Sequence, residues 1–309
     1  MVLRFKSLLF AVLAMGVLFL WAQCGGNGNQ QDPNAEFDIP DSMIQTEQIE
    51  VSSKVIEEMV ENISSPVETA ALMKRLKVPF NKDYMIPTDA ADHFNTNFTK
   101  ALGLGLYGTD LGYLNMYAKT SEVLSYISAV KDLADGIQVG QFFDFATLKR
   151  LATNNENLDS LIYISQQSYN KIDSYLRKNN RGALSTVIVA GVWIEGMYLS
   201  AQVAMETKNP QMEETIADQK VVLSTLIPML SIYDKDANIM GLVDRLNAIK
   251  ELYKEVKITY EQGEPVTKVI DGKLTIEQKD KQIVDVTPEV LNGIMTSLVT
   301  LRNDLVNNK

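Results

Sequence analysis

From about residue 41 onward, apolar positions recur at three- and four-residue spacing between clear start and stop signals, the pattern of amphipathic helices. Ser65-Pro66-Val67-Glu68 is a capping box with proline at the first helical position, and opens a short helix to about Lys77. An apolar segment over 92–118 follows Pro87 and Asp89. Thr120 and Glu122 start the next helix, which Gly136 ends, and Asp144 caps a short one over 145–153. Across 157–178 the stripe Leu158, Leu161, Ile162, Tyr169, Ile172, Tyr175, Leu176 lies on one face, and Asn179-Asn180-Arg181-Gly182 stops it.

Residues 183–207 form the most apolar helix of this region. Asn209-Pro210 opens another, which Pro228 is expected to kink or end. Leu242, Leu246, Ile249, Tyr253 and Val256 make a further core stripe. Thr287-Pro288 opens the last helix, with Leu291, Ile294, Met295, Leu298, Leu301 and Leu305 on its buried face. One region breaks the rhythm. Val266–Ile270, then Asp271-Gly272, then Lys273–Ile276 reads as two strands about a two-residue turn. Such a hairpin is marginal alone and must lean on the helices. The expected fold is an all-α bundle of about eight to ten helices in a single domain over 41–309. A small β-hairpin insertion is expected near 264–286.

The first 40 residues differ. Arg4 and Lys6 precede an apolar run over 8–22, too short for a membrane span, which needs roughly 20 residues, but suited to an export signal over 1–23. Cys24, the single cysteine of the chain, stands directly after it. That position resembles the acylated cysteine of bacterial lipoproteins, although Gln23 replaces the small residue usual before it. Gly25 rather than Asp follows Cys24, which by the same resemblance implies delivery to the outer membrane, on either its periplasmic or its surface side. Residues 24–40 then read as the lipidated cysteine and a Gly/Asn/Gln-rich flexible tether. The expected membrane contact is therefore the N-terminal lipid.

Composition narrows the chemistry. With 29 Lys+Arg against 39 Asp+Glu, the net charge of −10 argues against a general nucleic-acid binder. One histidine, His93, and one cysteine exclude a Cys/His zinc cluster and an intrachain disulfide. His93, beside Asp92 at a helix start, reads as a solvated surface residue. No G-x-S-x-G elbow accompanies it. No catalytic, metal or cofactor-binding residue is assigned.

Two segments stand out. Gly103, Gly105 and Gly108 match G-x-G-x-x-G letter for letter, but the preceding residues 93–100 are not the buried strand that a dinucleotide site requires. Gly105, Gly108 and Gly112 instead share a helix face, which predicts close approach of another helix. The opposite face carries Tyr107, Asp110, Leu114 and Tyr117. In 183–207, Trp193 and Glu195 interrupt the apolar run, and Glu195, Tyr198, Gln202 and Glu206 form one polar seam. Glu195 makes this helix costly to place in a bilayer and marks it as a buried helix of a soluble body. The two glycine-bearing helices are expected to pack on each other.

Two readings of Asp110 and Glu195 follow. They form a hydrogen-bonded core network, or else Tyr107, Asp110, Tyr117, Trp193, Glu195, Tyr198 and Gln202 line a ligand or partner site between helices 101–118 and 183–207. An acid/base pair or a metal held by the two carboxylates is a third, weaker possibility. The segments GLYGTDLGYLNMY (105–117) and VAGVWIEGMYLSAQ (189–202) resemble a group of helical lipoproteins of the Bacteroidetes lineage, over roughly residues 90–235. That resemblance implies a helical fold and an envelope location, and brings no catalytic residues with it. The function expected is a non-catalytic, lipid-anchored helical scaffold or interaction module, the partner being an envelope protein. The alternative is a lipoprotein holding a small ligand between helices.

Overall fold

The computed structural model describes residues 72–154, 158–263, 265–270, 273–277 and 281–307. The export signal, Cys24, the tether and the helix start at Ser65 lie outside these residues. Nine α-helices occur among the described residues from Asn97 onward: α1 (Asn97–Met116), α2 (Thr120–Gly136), α3 (Phe145–Asn154), α4 (Leu158–Lys178), α5 (Gly182–Thr207), α6 (Pro210–Asp218), α7 (Lys220–Ser231), α8 (Ala237–Leu252) and α9 (Pro288–Val306). The expected all-α bundle is therefore the fold. Several ends fall where the capping residues predict. Asp144 Oδ1 accepts from Thr147 N–H at 2.9 Å, Asn209 from Gln211 N–H at 2.9 Å and Thr287 from Val290 N–H at 3.3 Å.

Helix α5 is the central element. It packs against α1, α4, α6, α7 and α9. By length and hydropathy it is able to cross a bilayer, but most of its side chains are buried inside the bundle. Glu195 and Trp193 lie in that interior, at 0% and 1% exposure.

The structure sharpens several of the expected bounds. Within the apolar segment 92–118 the helix begins at Asn97. Thr96 caps it in a reciprocal box with Thr99, and Thr88–His93 forms a separate 3₁₀ turn. Pro228 sits inside α7 without ending it there, and the break falls at Gln219, between α6 and α7. Gln219 is buried and accepts the Trp193 indole N–H at 3.1 Å. The predicted hairpin is present, as the inner part of a longer ribbon. β2 (Val266–Ile270) and β3 (Lys273–Glu277) pair antiparallel, Ile270 opposite Lys273, as expected. Outside them β1 (Lys257–Glu261) pairs with β4 (Lys281–Asp285). Between the two pairs the register shifts by one residue, from Glu261↔Lys281 to Val266↔Glu277. The ribbon leans on the bundle through Gln282, whose Nε2 donates to Asp218 Oδ1 of α6 at 2.6 Å.

Candidate functional site

Helices α1 and α5 meet at glycine. A Cβ placed on Gly105 would lie 2.2 Å from Ile188 O and 2.7 Å from Val192 N, and one on Gly191 2.4 Å from Leu102 O. The backbones are in direct contact, as the spacing of glycines predicts. Of the predicted trio Gly105 makes this approach from α1, whereas a Cβ on Gly108 would meet open space. Thr109, one turn on from Gly105, closes the seam: its hydroxyl lies 3.0 Å from Gly105 O and 3.4 Å from Val192 O across the interface.

The opposite face of α1 is covered by residues 78–94, a strap with two short 3₁₀ helices, Lys82–Tyr84 and Thr88–His93, in otherwise irregular backbone. Backbone polar groups outside those turns have no ladder to enter, so side chains must satisfy them where they are buried. Tyr117 Oη donates to Val78 O at 2.9 Å, and Tyr113 Oη accepts Asn81 N–H at 3.1 Å. Asp110 Oδ2 accepts Ile86 N–H at 2.8 Å, and Tyr107 Oη donates to Pro87 O at 2.8 Å. The strap therefore runs antiparallel to α1. Tyr126 of α2 donates to Ile86 O at 2.5 Å, and Arg302 Nη2 of α9 to Tyr84 O at 3.1 Å. Phe80 stacks on Tyr113 at 5.4 Å, and the Phe94 ring packs on Tyr107 and against Gly103. Polar residues that read as a binding face are the partners of the protein's own strap.

Beneath the strap lies a charge cluster. Arg302 grips Glu195 with both Nε and Nη2, at 3.0 and 2.9 Å, a bidentate pair. Its guanidinium stacks 4.0 Å from the centre of the Tyr198 ring. Asp110 lies within the field of the Glu195 charge. Both carboxyls are fully buried and Arg302 is 5% exposed. Two carboxylates thus face one guanidinium. Asp110 Oδ1 is buried and has no hydrogen-bond partner among the described residues. Burial pushes the Asp110 carboxyl far above the usual carboxylate range, and the neighbouring Glu195 charge adds to it, while Arg302 and the Ile86 N–H pull the other way. Burial also raises Glu195, against the Arg302 charge and bonds, which favour its ionised form. Both acids are thus pushed toward their neutral forms, with the Glu195 charge adding to burial at Asp110.

Chemically this arrangement holds a proton and a strap. Arg302 already occupies the position beside the acids that a metal ion would take. Tyr107, Asp110, Glu195 and Tyr198 are brought together, and Tyr117 joins them through the strap. Trp193 points elsewhere, to Gln219. Gln202 is half-buried a turn beyond Tyr198. Glu206, at the end of the seam, is exposed and accepts from the Tyr84 hydroxyl. His93 is exposed, as expected, and its Nδ1 lies 3.3 Å from Val306 O.

Sequence reasoning missed Arg302, Tyr84, Tyr113 and Tyr126. Arg302 sits 107 residues from Glu195, next to Asn303 and Asp304, in a setting that reads as helix surface. A second buried polar knot ties α4 to α5. Ser185 Oγ donates to Asp173 Oδ1 at 2.6 Å, Arg177 Nε to the same oxygen at 2.9 Å, and Tyr169 Oη lies 3.0 Å from Ser185 Oγ.

No protein-family model, curated protein or solved structure matches this chain.

Proposed function

We propose that this protein is a non-catalytic scaffold or interaction module of the bacterial cell envelope, anchored at the outer membrane by a lipid on Cys24. The observation that carries the non-catalytic part is the internal use of Asp110 and Glu195. Both are buried, and their hydrogen bonds go to the strap backbone and to Arg302. At Gly105 and Gly191 the space between α1 and α5 is filled by backbone, which favours a packed body over a ligand held there. The anchor rests on the apolar run ahead of Cys24 and on the uniqueness of that cysteine.

The test is expression of the full chain in a bacterial host fed an alkynyl fatty acid, followed by in-cell crosslinking. Label that is lost in Cys24→Ser, with the protein in the outer-membrane fraction and crosslinked to an envelope protein, is the expected result. Label that persists in Cys24→Ser, or protein freely soluble in the periplasm, overturns the anchor. Native mass spectrometry of the purified protein separates the alternative: a retained small molecule would replace the scaffold by a ligand carrier.

A further inference from the structure

We propose that the strap over 78–94 is proton-latched: it is seated while Asp110 and Glu195 share one proton above Arg302, and it loosens as that proton leaves. The inference is independent of the lipid anchor.

Asp110 Oδ2 holds the strap through Ile86 N–H, while its Oδ1 is buried with no partner among the described residues and lies in the field of the Glu195 charge. Arg302 bonds both ways, to Glu195 and to Tyr84 O of the strap. The strap is thus fastened at Tyr84 and Ile86 by two members of one buried cluster of two acids and a guanidinium. With one proton shared, the cluster is neutral. Without it, a net negative charge is left in a site closed to water, at a cost that opening relieves. The strap is the element able to move, because side-chain hydrogen bonds rather than a backbone ladder tie its two short 3₁₀ helices to the rest of the body.

The other titratable and charged groups around Asp110 do not supply this behaviour. Tyr107 and Tyr113 on α1 and Tyr126 on α2 are pushed above the ordinary tyrosine range by burial first and then by nearby charge or, for Tyr113, in spite of the Asn81 N–H bond. Tyr198 on α5 stacks on Arg302. Asp89 on the strap and Glu122 on α2 act only at a distance, on Tyr107 and Tyr126. Tyr84 bonds Glu206, and His93, at the strap's end, contacts Val306 O.

The sign follows from linkage. Asp110 has a raised carboxyl when the strap is seated and an ordinary one when it is open. Seating is therefore favoured most at mildly acid pH. Opening gains about tenfold per pH unit from the ordinary carboxylate range up to the seated-state value, and levels off above it.

Hydrogen–deuterium exchange of the full chain between pH 4.5 and 8.5, corrected for intrinsic exchange, reads this directly. The strap peptide is expected to lose protection as pH rises while α8 keeps its own. Asp110→Asn retains an acceptor for Ile86 N–H without a titratable proton, so its strap is expected to stay protected throughout. Glu195→Gln serves if that variant does not fold. Asp110 then becomes the single carboxylate facing Arg302, and the fall in protection disappears. The curves are repeated in His93→Gln, where the wild-type fall is expected to persist. A pH-independent strap, a strap and α8 that lose protection together, a Glu195→Gln curve that follows the wild type, or a fall abolished by His93→Gln each overturns the proposal.

Discussion

Gly105 and Gly191 touch backbone to backbone: a Cβ on Gly191 would stand 3.2 Å from Gly105 Cα and 2.4 Å from Leu102 O. Glycine within a helix costs about 1 kcal/mol relative to alanine, so each of these residues weakens its own helix. The return is an interface close enough for the Thr109 hydroxyl to reach a carbonyl of the facing helix. This predicts a sharp contrast within one helix. Gly105→Ala forces the helices apart and destabilises by about 1–3 kcal/mol or more, whereas Gly108→Ala, with open space beside it, gains about 1 kcal/mol of helix propensity. Urea melts of the two variants check the difference in sign. Equal effects would mean the contact is slack.

Arg302 holds two buried acids and a strap carbonyl from the far end of the chain. Arg302→Met keeps much of the volume but leaves Glu195 without its counter-charge. Breaking a buried pair in this way typically costs about 3–5 kcal/mol. The loss is expected to be larger at pH 8 than at pH 5, because Glu195, freed of Arg302, is pushed further toward its neutral form by burial and is protonated at the lower pH. Chemical denaturation at the two pH values tests this. A loss that is the same at both would show that packing rather than charge governs the site.

The helices were legible because their signals are local. Asn209-Pro210 and Thr287-Pro288 mark starts by chemistry that acts within one turn, and Asp271-Gly272 marks a two-residue turn the same way. The glycine contact was legible from spacing, although Gly108 takes no part in it. The strap was not legible. Its fold is dictated by partners 20 to 218 residues distant, and residues 78–87 carry no periodicity of their own. A trace of it was nevertheless present in α1. Tyr107, Asp110, Tyr113 and Tyr117 give that helix more hydrogen-bonding groups in its buried part than the helix itself uses, which calls for an irregular backbone alongside.

Those tyrosines allow a graded test. Tyr107→Phe and Tyr117→Phe each remove one bond to a strap carbonyl and leave the ring packing intact. Each is expected to cost about 1 kcal/mol, with more where the carbonyl stays dry. Tyr117 lies nearer the surface, with its hydroxyl pushed up to about 12 by burial and then by Tyr113. Water reaches its site more readily, so the Tyr107 variant should lose more. Exchange protection of the strap is expected to fall in both variants. An unchanged strap would mean that its seat depends on side-chain packing instead.

Four helical segments end in the same way on residues poorly suited to it. Lys77, Ala118, Gln138 and Asn180 all have φ near +60°. In each, the following N–H reaches back five residues, as from Lys119 to Leu114 O and from Val139 to Ala134 O, the Schellman arrangement that usually takes glycine. A left-handed conformation costs an ordinary L-residue about 1–2 kcal/mol, and asparagine less. Replacing it by glycine relieves that strain but adds freedom to the unfolded chain, which offsets about 0.4–1 kcal/mol. Ala118→Gly and Gln138→Gly are therefore expected to stabilise by about 1 kcal/mol, or roughly 2–4 °C in a body of this size. Asn180→Gly should leave stability almost unchanged. Thermal melts of the three variants decide it. A destabilised Gln138→Gly would show that the exposed glutamine side chain, rather than its backbone angle, is what that turn selects for.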